Sequence, residues 1–469
     1  PRLLAEAGAD RRALESARDQ GSRVLMRFPD LLATKAGRLT TFFMLYMTEG
    51  IPLGFTATAI ATQMRRQGLG PVAIGAFVGS LYLPWAFKWV MGPFVDAFSS
   101  DRFGRRRLWI LATQVGMMAT LIFAMPIDYV AQIGLFTAVI FLHNAFGATQ
   151  DVAIDALAVN VLPEHERGVA NGFMFAGASI GQAVGGSGVL FLTAVMPFGS
   201  TYIFVAAAIL MVTLFIVLPI KEPPGPPRPH TDKSPLAAVG ADLARFVREA
   251  WRAFTGSRAA LVGVLVSLLP FGAYALSLAL QSNLAVELGL DDNAVAQLNL
   301  ASTVVFALAC VAGGWVSDRF GRRSSLAVFV FLTVVPTLWL AYAMQQAGWI
   351  LPIDVKDPNR PVPDTALVAT FWAAIIAFNV FQGLYYGVRS ALFMDVTTKA
   401  VAATQFTAYM AMSNLVISYT SWWQGLSIVS WGYPVTLVID SVAGLVVLLL
   451  LPFMAARKDR VAGLAPVRD

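Results

Sequence analysis

Predominantly apolar runs of about 18 residues or more recur along the whole of this 469-residue chain, each long enough to cross a bilayer as a helix. Hydrocarbon offers backbone groups no water, so such runs are expected as helices. The short alternating segments of a membrane β-barrel are missing from the sequence. Composition agrees: 57% of residues are hydrophobic and 13% charged, against roughly 25% charged in soluble domains.

We place twelve spans, at 40–63, 71–94, 108–126, 131–157, 168–194, 200–220, 259–282, 294–316, 324–344, 366–393, 402–429 and 433–455. With the N-terminus inside, 28 of the 34 Lys and Arg residues fall on the cytoplasmic side and 4 on the other, and Lys88 and Arg389 lie within spans. By the positive-inside rule both termini are then expected in the cytoplasm. The net charge of +6 is no sign of nucleic-acid binding, because the basic residues sit in particular loops and not on one soluble face.

The expected division is a cytoplasmic extension over 1–36, a six-helix bundle over 37–222, a linker over 223–258, a second bundle over 259–457 and a cytoplasmic tail over 458–469. Residues 1–36 contain no apolar core of a signal peptide. The linker opens on the proline-rich "KEPPGPPRPHTDKSP" and continues as "LAAVGADLARFVREAWRAF". The second stretch has apolar residues at helical spacing with basic ones between. It is expected either on the inner membrane surface or packed on the bundle.

The hexapeptide "DRFGRR" occurs at 101–106 and again at 318–323, each copy after the second span of its half. A repeat at matching positions of two six-span halves points to internal duplication. An acid near a helix end beside clustered arginines suits a charge-assisted cytoplasmic gate. The candidates are Asp96, Asp101, Arg102 and Arg105 in the first half and Gly314, Asp318, Arg319 and Arg322 in the second. Asp96 stands five residues before Asp101, and the family resemblance given below implies that it can take the acidic role there.

Ionisable residues inside spans are costly and mark function by default. Glu49 lies roughly 14 Å into span 1 by helical rise, and the adjacent Gly50 and Pro52 are expected to break the helix there. Lys88 is in span 2. Asp151 and Asp155 in span 4 are four residues apart and so share a helix face. Three acids and one lysine leave a charge of −2 if all are ionised, so at least one carboxylate is expected to hold a proton. These four are the candidate proton-coupling residues. The candidate substrate-binding residues are Arg389 with Gln382, Tyr385 and Tyr386 in span 10, Gln150 in span 4, Gln281 in span 7 and, as the family resemblance given below implies, Gln405 in span 11. A guanidinium suits a carboxylate or phosphate. Asp440 in span 12 and His143 in span 4 are weaker candidates.

Nothing in the sequence suggests an enzyme: there is no P-loop and no metal-ligand cluster, and only three histidines, His143, His165 and His230, are present. No cofactor is expected beyond a proton gradient, and a monomer is expected.

The paired motif and the six-plus-six layout resemble the major facilitator superfamily. Within it, "EGIPLGF", "PWAFKWVMGPFVD", "GATQDVAIDALAV" and "ATQFTAYMAMSNL" resemble the muropeptide permeases of the AmpG type and the related acetyl-CoA transporters. The resemblance implies an all-α fold of twelve transmembrane helices in two pseudo-symmetric bundles. It also implies proton-coupled movement of a bulky, polar, acidic small molecule across a bacterial inner membrane. Arg389 departs from that pattern, which leaves a siderophore or acyl-CoA permease as alternatives. A non-transporting membrane assembly factor is a third reading.

Overall fold

The structure, a computed structural model, describes residues 30–98, 104–223, 235–274, 276–396 and 402–454. Among these there are helices and their connections and no strands. Eight helices are long and apolar enough to cross a membrane. They begin in α4 (Arg105–Ala124), α5 (Ile133–Val161), α6 (164–192), α7 (198–217), α11 (Asp292–Phe320), α12 (Arg322–Gln346), α13 (Thr365–Asp395) and α15 (Tyr433–Leu450).

The other four expected spans are also helical, but polar or interrupted. Residues 35–66 form α1, which carries Arg38 and Glu49 and ends on Arg65 and Arg66. The second breaks at Phe87 into α2 (Pro71–Ala86) and α3 (Met91–Ala97). The seventh breaks after Ser267 into α9 (Arg258–Ser267) and α10 (Leu278–Glu287), reaching further than the expected end at 282. α14 (Ala402–Trp431) is interspersed with serines and threonines.

Gly50 and Pro52 do not break α1 as expected. The helix runs through them and absorbs the irregularity in a π turn at Phe55–Ile60. The lost hydrogen bond of a proline can be met by such local adjustment. Gly50 serves packing instead: a methyl group there would lie 2.1 Å from the Ala178 carbonyl oxygen of α6. Small residues let membrane helices approach this closely. The same device joins α11 to α13, where a methyl on Gly313 would meet the Leu384 carbonyl oxygen at 2.1 Å.

Duplication is visible in the backbone. Gly104 and Gly321, the glycines of the two hexapeptides, stand at φ 86°, ψ 132° and φ 91°, ψ 134°. Both turn the chain into a following helix in a conformation that side chains other than glycine rarely adopt.

The linker helix α8 (Pro235–Thr255) packs on the other helices. Phe246 stacks on Trp89 with ring centres 5.2 Å apart, and Phe254 meets Tyr409 at 5.2 Å. Leu236, Val247 and Trp251 remain exposed along its length.

Candidate functional site

Lys88 sits in the short turn that follows the end of α2, where unpaired carbonyls favour a cation. Its ammonium pairs with Asp151 and lies 4.0 Å from Asp155. The one-turn spacing of the two acids on α5 brings both to the same lysine. Tyr46 of α1 donates to Asp155 at 2.6 Å. Glu49, 7% exposed, lies beside Asp151, and one of its carboxyl oxygens has no hydrogen-bond partner. The four candidates for proton coupling therefore converge from α1, α5 and the α2–α3 break. The Asp155 side chain is 47% exposed and that of Asp151 5%, so the cluster runs from an open rim to a closed interior.

The other candidates divide. Arg389 of α13 is 3% exposed. Its guanidinium lies 4.6 Å from the Tyr386 ring centre and 5.5 Å from that of Phe271. It donates to the Tyr274 hydroxyl at 3.3 Å, while its Nε has no partner. No carboxylate among the described residues pairs with it. Tyr386 is half-exposed beside it. Tyr385 is fully buried against Phe271, with ring centres 6.2 Å apart. Gln382 is half-buried one turn earlier.

Gln150 is fully buried and donates to Thr48 at 2.8 Å, holding α5 to α1. Gln281 donates to Asn299 at 3.1 Å, joining α10 to α11. Gln405 is buried in the first turn of α14. His143 sits against Thr120 and the Met117 carbonyl within the helix packing.

Of the gate residues, Asp101 and Arg102 lie outside the described residues, as does the side chain of Asp318. Asp96 pairs with Arg106, a motif arginine that was not among the candidates. Glu222, also missed, accepts from the Arg106 and Arg107 backbone amides at 2.8 and 3.0 Å and so caps α4. In the second half Arg322 reaches the Ala391 carbonyl at 3.4 Å, and Arg323 reaches that of Pro452 at 3.5 Å. Arg319 is exposed in the last turn of α11, and Gly314 has open space about it.

Sequence reasoning also missed a second ionic seam at the opposite end of the molecule. Arg65 at the end of α1 pairs with Glu287 at the end of α10 at 2.5 Å. Arg66 pairs with Asp292 at 2.6 Å, and Asp292 also accepts from Gln63 and Thr193. Two arginines on a face with only four basic residues, opposite acids at the end of span 7 and the start of span 8, were the available signal.

Residues 39–355 match the family model of the Major Facilitator Superfamily. The chain belongs to that superfamily. Its relatives include the anhydromuropeptide permease of Escherichia coli (strain K12), 28% identical over 385 residues that cover 80% of this chain and 71% of that one. A putative transporter, AmpG 1, of Rickettsia conorii is 22% identical over 188 residues, 39% of this chain and 45% of that one. Among solved structures, a D-xylose–proton symporter superposes with a TM-score of 0.61 at 14% identity, over 89% of this chain and 98% of that one. A nucleoside transporter superposes with a TM-score of 0.63 at 13% identity, over 89% and 99%. As a member of the superfamily the chain is a multi-pass membrane transporter and not an enzyme.

Proposed function

We propose that this chain is a proton-coupled secondary transporter that moves a bulky, polar, acidic small molecule of muropeptide type across a bacterial inner membrane. In this reading twelve spans form two six-helix bundles, 37–222 and 259–457, joined by the cytoplasmic linker 223–258, with both termini cytoplasmic. The bundles rock about a site near the midplane, as superfamily members built of paired repeats do. The carrying observation is the cluster of Glu49, Asp151 and Asp155 around one lysine: a site with more carboxylates than cations is suited to take up and release a proton.

Arg389, charged and without a carboxylate partner among the described residues, is the proposed anchor for the anionic group of the solute, with Tyr386 and Gln382 beside it. Gln405, Gln281, Gln150 and Tyr385 then support the site from within the helix packing. The two hexapeptide turns mark the cytoplasmic gate, and Arg65–Glu287 with Arg66–Asp292 the opposite one. The relation to an anhydromuropeptide permease supports the choice of substrate class.

The test is uptake of labelled anhydromuropeptide into cells, with and without an uncoupler. Asp151→Asn and Glu49→Gln are expected to lose uncoupler-sensitive uptake. Wild-type, proton-dependent uptake in both variants would remove the proposed coupling role. A thermal-shift screen of purified protein against anhydromuropeptides, acyl-CoA and siderophores decides among substrate classes, since a bound ligand raises the melting temperature by mass action.

A further inference from the structure

The break between α9 and α10 leaves non-helical backbone buried among helices: Phe271, Ala273 and Tyr274 are 1%, 0% and 7% exposed. Peptide N–H groups freed at such depth need partners from elsewhere. Three successive ones find them. Gly272 donates to the Gly444 carbonyl at 3.2 Å, Ala273 to the Thr333 hydroxyl at 3.2 Å and Tyr274 to the Asp440 carboxylate at 2.5 Å. Thr333 is on α12, and Gly444 and Asp440 are one turn apart on α15. A methyl on Gly444 would lie 2.0 Å from the Gly272 carbonyl oxygen, so α15 is fitted to the interruption.

Asp440 is the costly element in this arrangement. A serine or threonine can accept from a peptide N–H, as Thr333 does, whereas a carboxylate at 2% exposure carries a large desolvation penalty. What it supplies is a strong acceptor with two oxygens. One takes Tyr274 N–H and the other takes Gln424 of α14 at 3.1 Å. The interrupted stretch in turn carries two of the residues around Arg389, Phe271 through its ring and Tyr274 through its hydroxyl.

We propose that Asp440 is a positioning residue of the substrate site: by holding the Tyr274 amide it fixes the break in the seventh span, and with it the Phe271–Tyr274 cradle that orients Arg389. The substrate part of this inference rests on the reading of Arg389 as the solute's anionic anchor.

Two measurements on the full-length protein test it. Hydrogen exchange is followed in detergent for wild type, Asp440→Ala and Asp440→Asn. Asp440→Ala is expected to lose protection at 271–274 while α12 and α13 keep theirs. Asp440→Asn, which retains an acceptor oxygen, is expected to keep most of it. In labelled anhydromuropeptide uptake, Asp440→Ala is expected to raise KM about tenfold with Vmax within about twofold, and Asp440→Asn to restore KM to within about threefold. Unchanged exchange at 271–274 in Asp440→Ala overturns the inference, as does a fall in Vmax at constant KM. If the wild-type protein takes up no anhydromuropeptide, the substrate reading fails while the exchange result still decides whether Asp440 holds the break.

Discussion

The Arg65 guanidinium and the Glu287 carboxylate meet at 2.5 Å across 222 residues of chain, and both side chains are almost wholly buried, at 3% and 0% exposure. Each is held by further bonds. Glu287 accepts from the Tyr433 hydroxyl at 2.6 Å, and Arg65 donates to the carbonyls of Leu69 and Ile353. Removing one partner leaves the other buried and uncompensated, at a cost of about 3–5 kcal/mol. Arg65→Ala and Glu287→Ala are therefore each expected to lower the unfolding temperature in detergent clearly. The double variant should lose less than the sum, because it strands no charge. Additive losses in that double-mutant cycle would show that the pair is not coupled.

The same logic separates structure from transport in the lysine cluster. Lys88→Ala strands Asp151 with Asp155 close by, so it is expected to destabilise by about 3 kcal/mol. Adding Asp151→Asn removes the stranded charge and should restore most of the unfolding temperature. Uptake driven by an imposed pH gradient should stay at least tenfold below wild type in both proteins, because the proposed proton site is gone. Recovery of gradient-driven uptake along with stability would mean that the cluster only braces the helices.

The lysine cluster was legible in the sequence, and the ionic seam at the opposite end and the course of two spans were not. Asp151 and Asp155 could be read together because four-residue spacing puts both on one face, and Lys88 because an ammonium in an apolar run needs an acid. The Arg65–Glu287 pair was harder to read because its signal, two arginines on a face with only four basic residues, does not say which acid on the far side of the linker each one meets. Span 7 and span 1 make the contrast sharper. Pro270 and Gly272 interrupt the seventh span, whereas Gly50 and Pro52, the same residue types, leave α1 unbroken. Around Gly272 the neighbours provide acceptors in Thr333, Asp440 and Gly444. Around Gly50 the α6 backbone is already in contact and leaves no room for unwound chain. The choice lies in the surroundings and not in the local sequence.

A pH dependence follows from Arg38 and Glu166, both outside the expected spans. Arg38 donates to the two Glu166 oxygens at 2.9 and 2.8 Å. Those bonds, with the attraction of the two charges, hold the Glu166 carboxyl below the usual range against a smaller effect of burial. The folded protein thus keeps Glu166 ionised to lower pH than the unfolded chain does. Its stabilisation is fully present above an ordinary glutamate pKa of about 4.3 and is lost as pH falls through the lowered value. The unfolding temperature of Glu166→Gln is expected to lie below that of wild type at neutral pH and to converge with it under acid conditions. A gap that stays constant from neutral pH down through that range would rule out the ion pair as its source.

The paired glycine turns allow strain to be separated from crowding. Gly104 and Gly321 share one backbone conformation, so an alanine at either meets the same left-handed penalty, about 1–3 kcal/mol. Their surroundings differ. A methyl on Gly104 would approach a Glu222 carboxylate oxygen at 2.8 Å, whereas none of the described atoms lies within 4 Å of one on Gly321. Glu222 is the acceptor that caps α4, so displacing it also frees the Arg106 and Arg107 amides. Gly321→Ala is accordingly expected to show the backbone penalty alone, and Gly104→Ala that penalty plus about 1 kcal/mol for the lost cap. Unfolding of the two variants side by side measures the difference. In a Glu222→Ala background the gap should close, because the cap is already absent there, and a gap that persists would place the extra cost of Gly104→Ala somewhere other than Glu222.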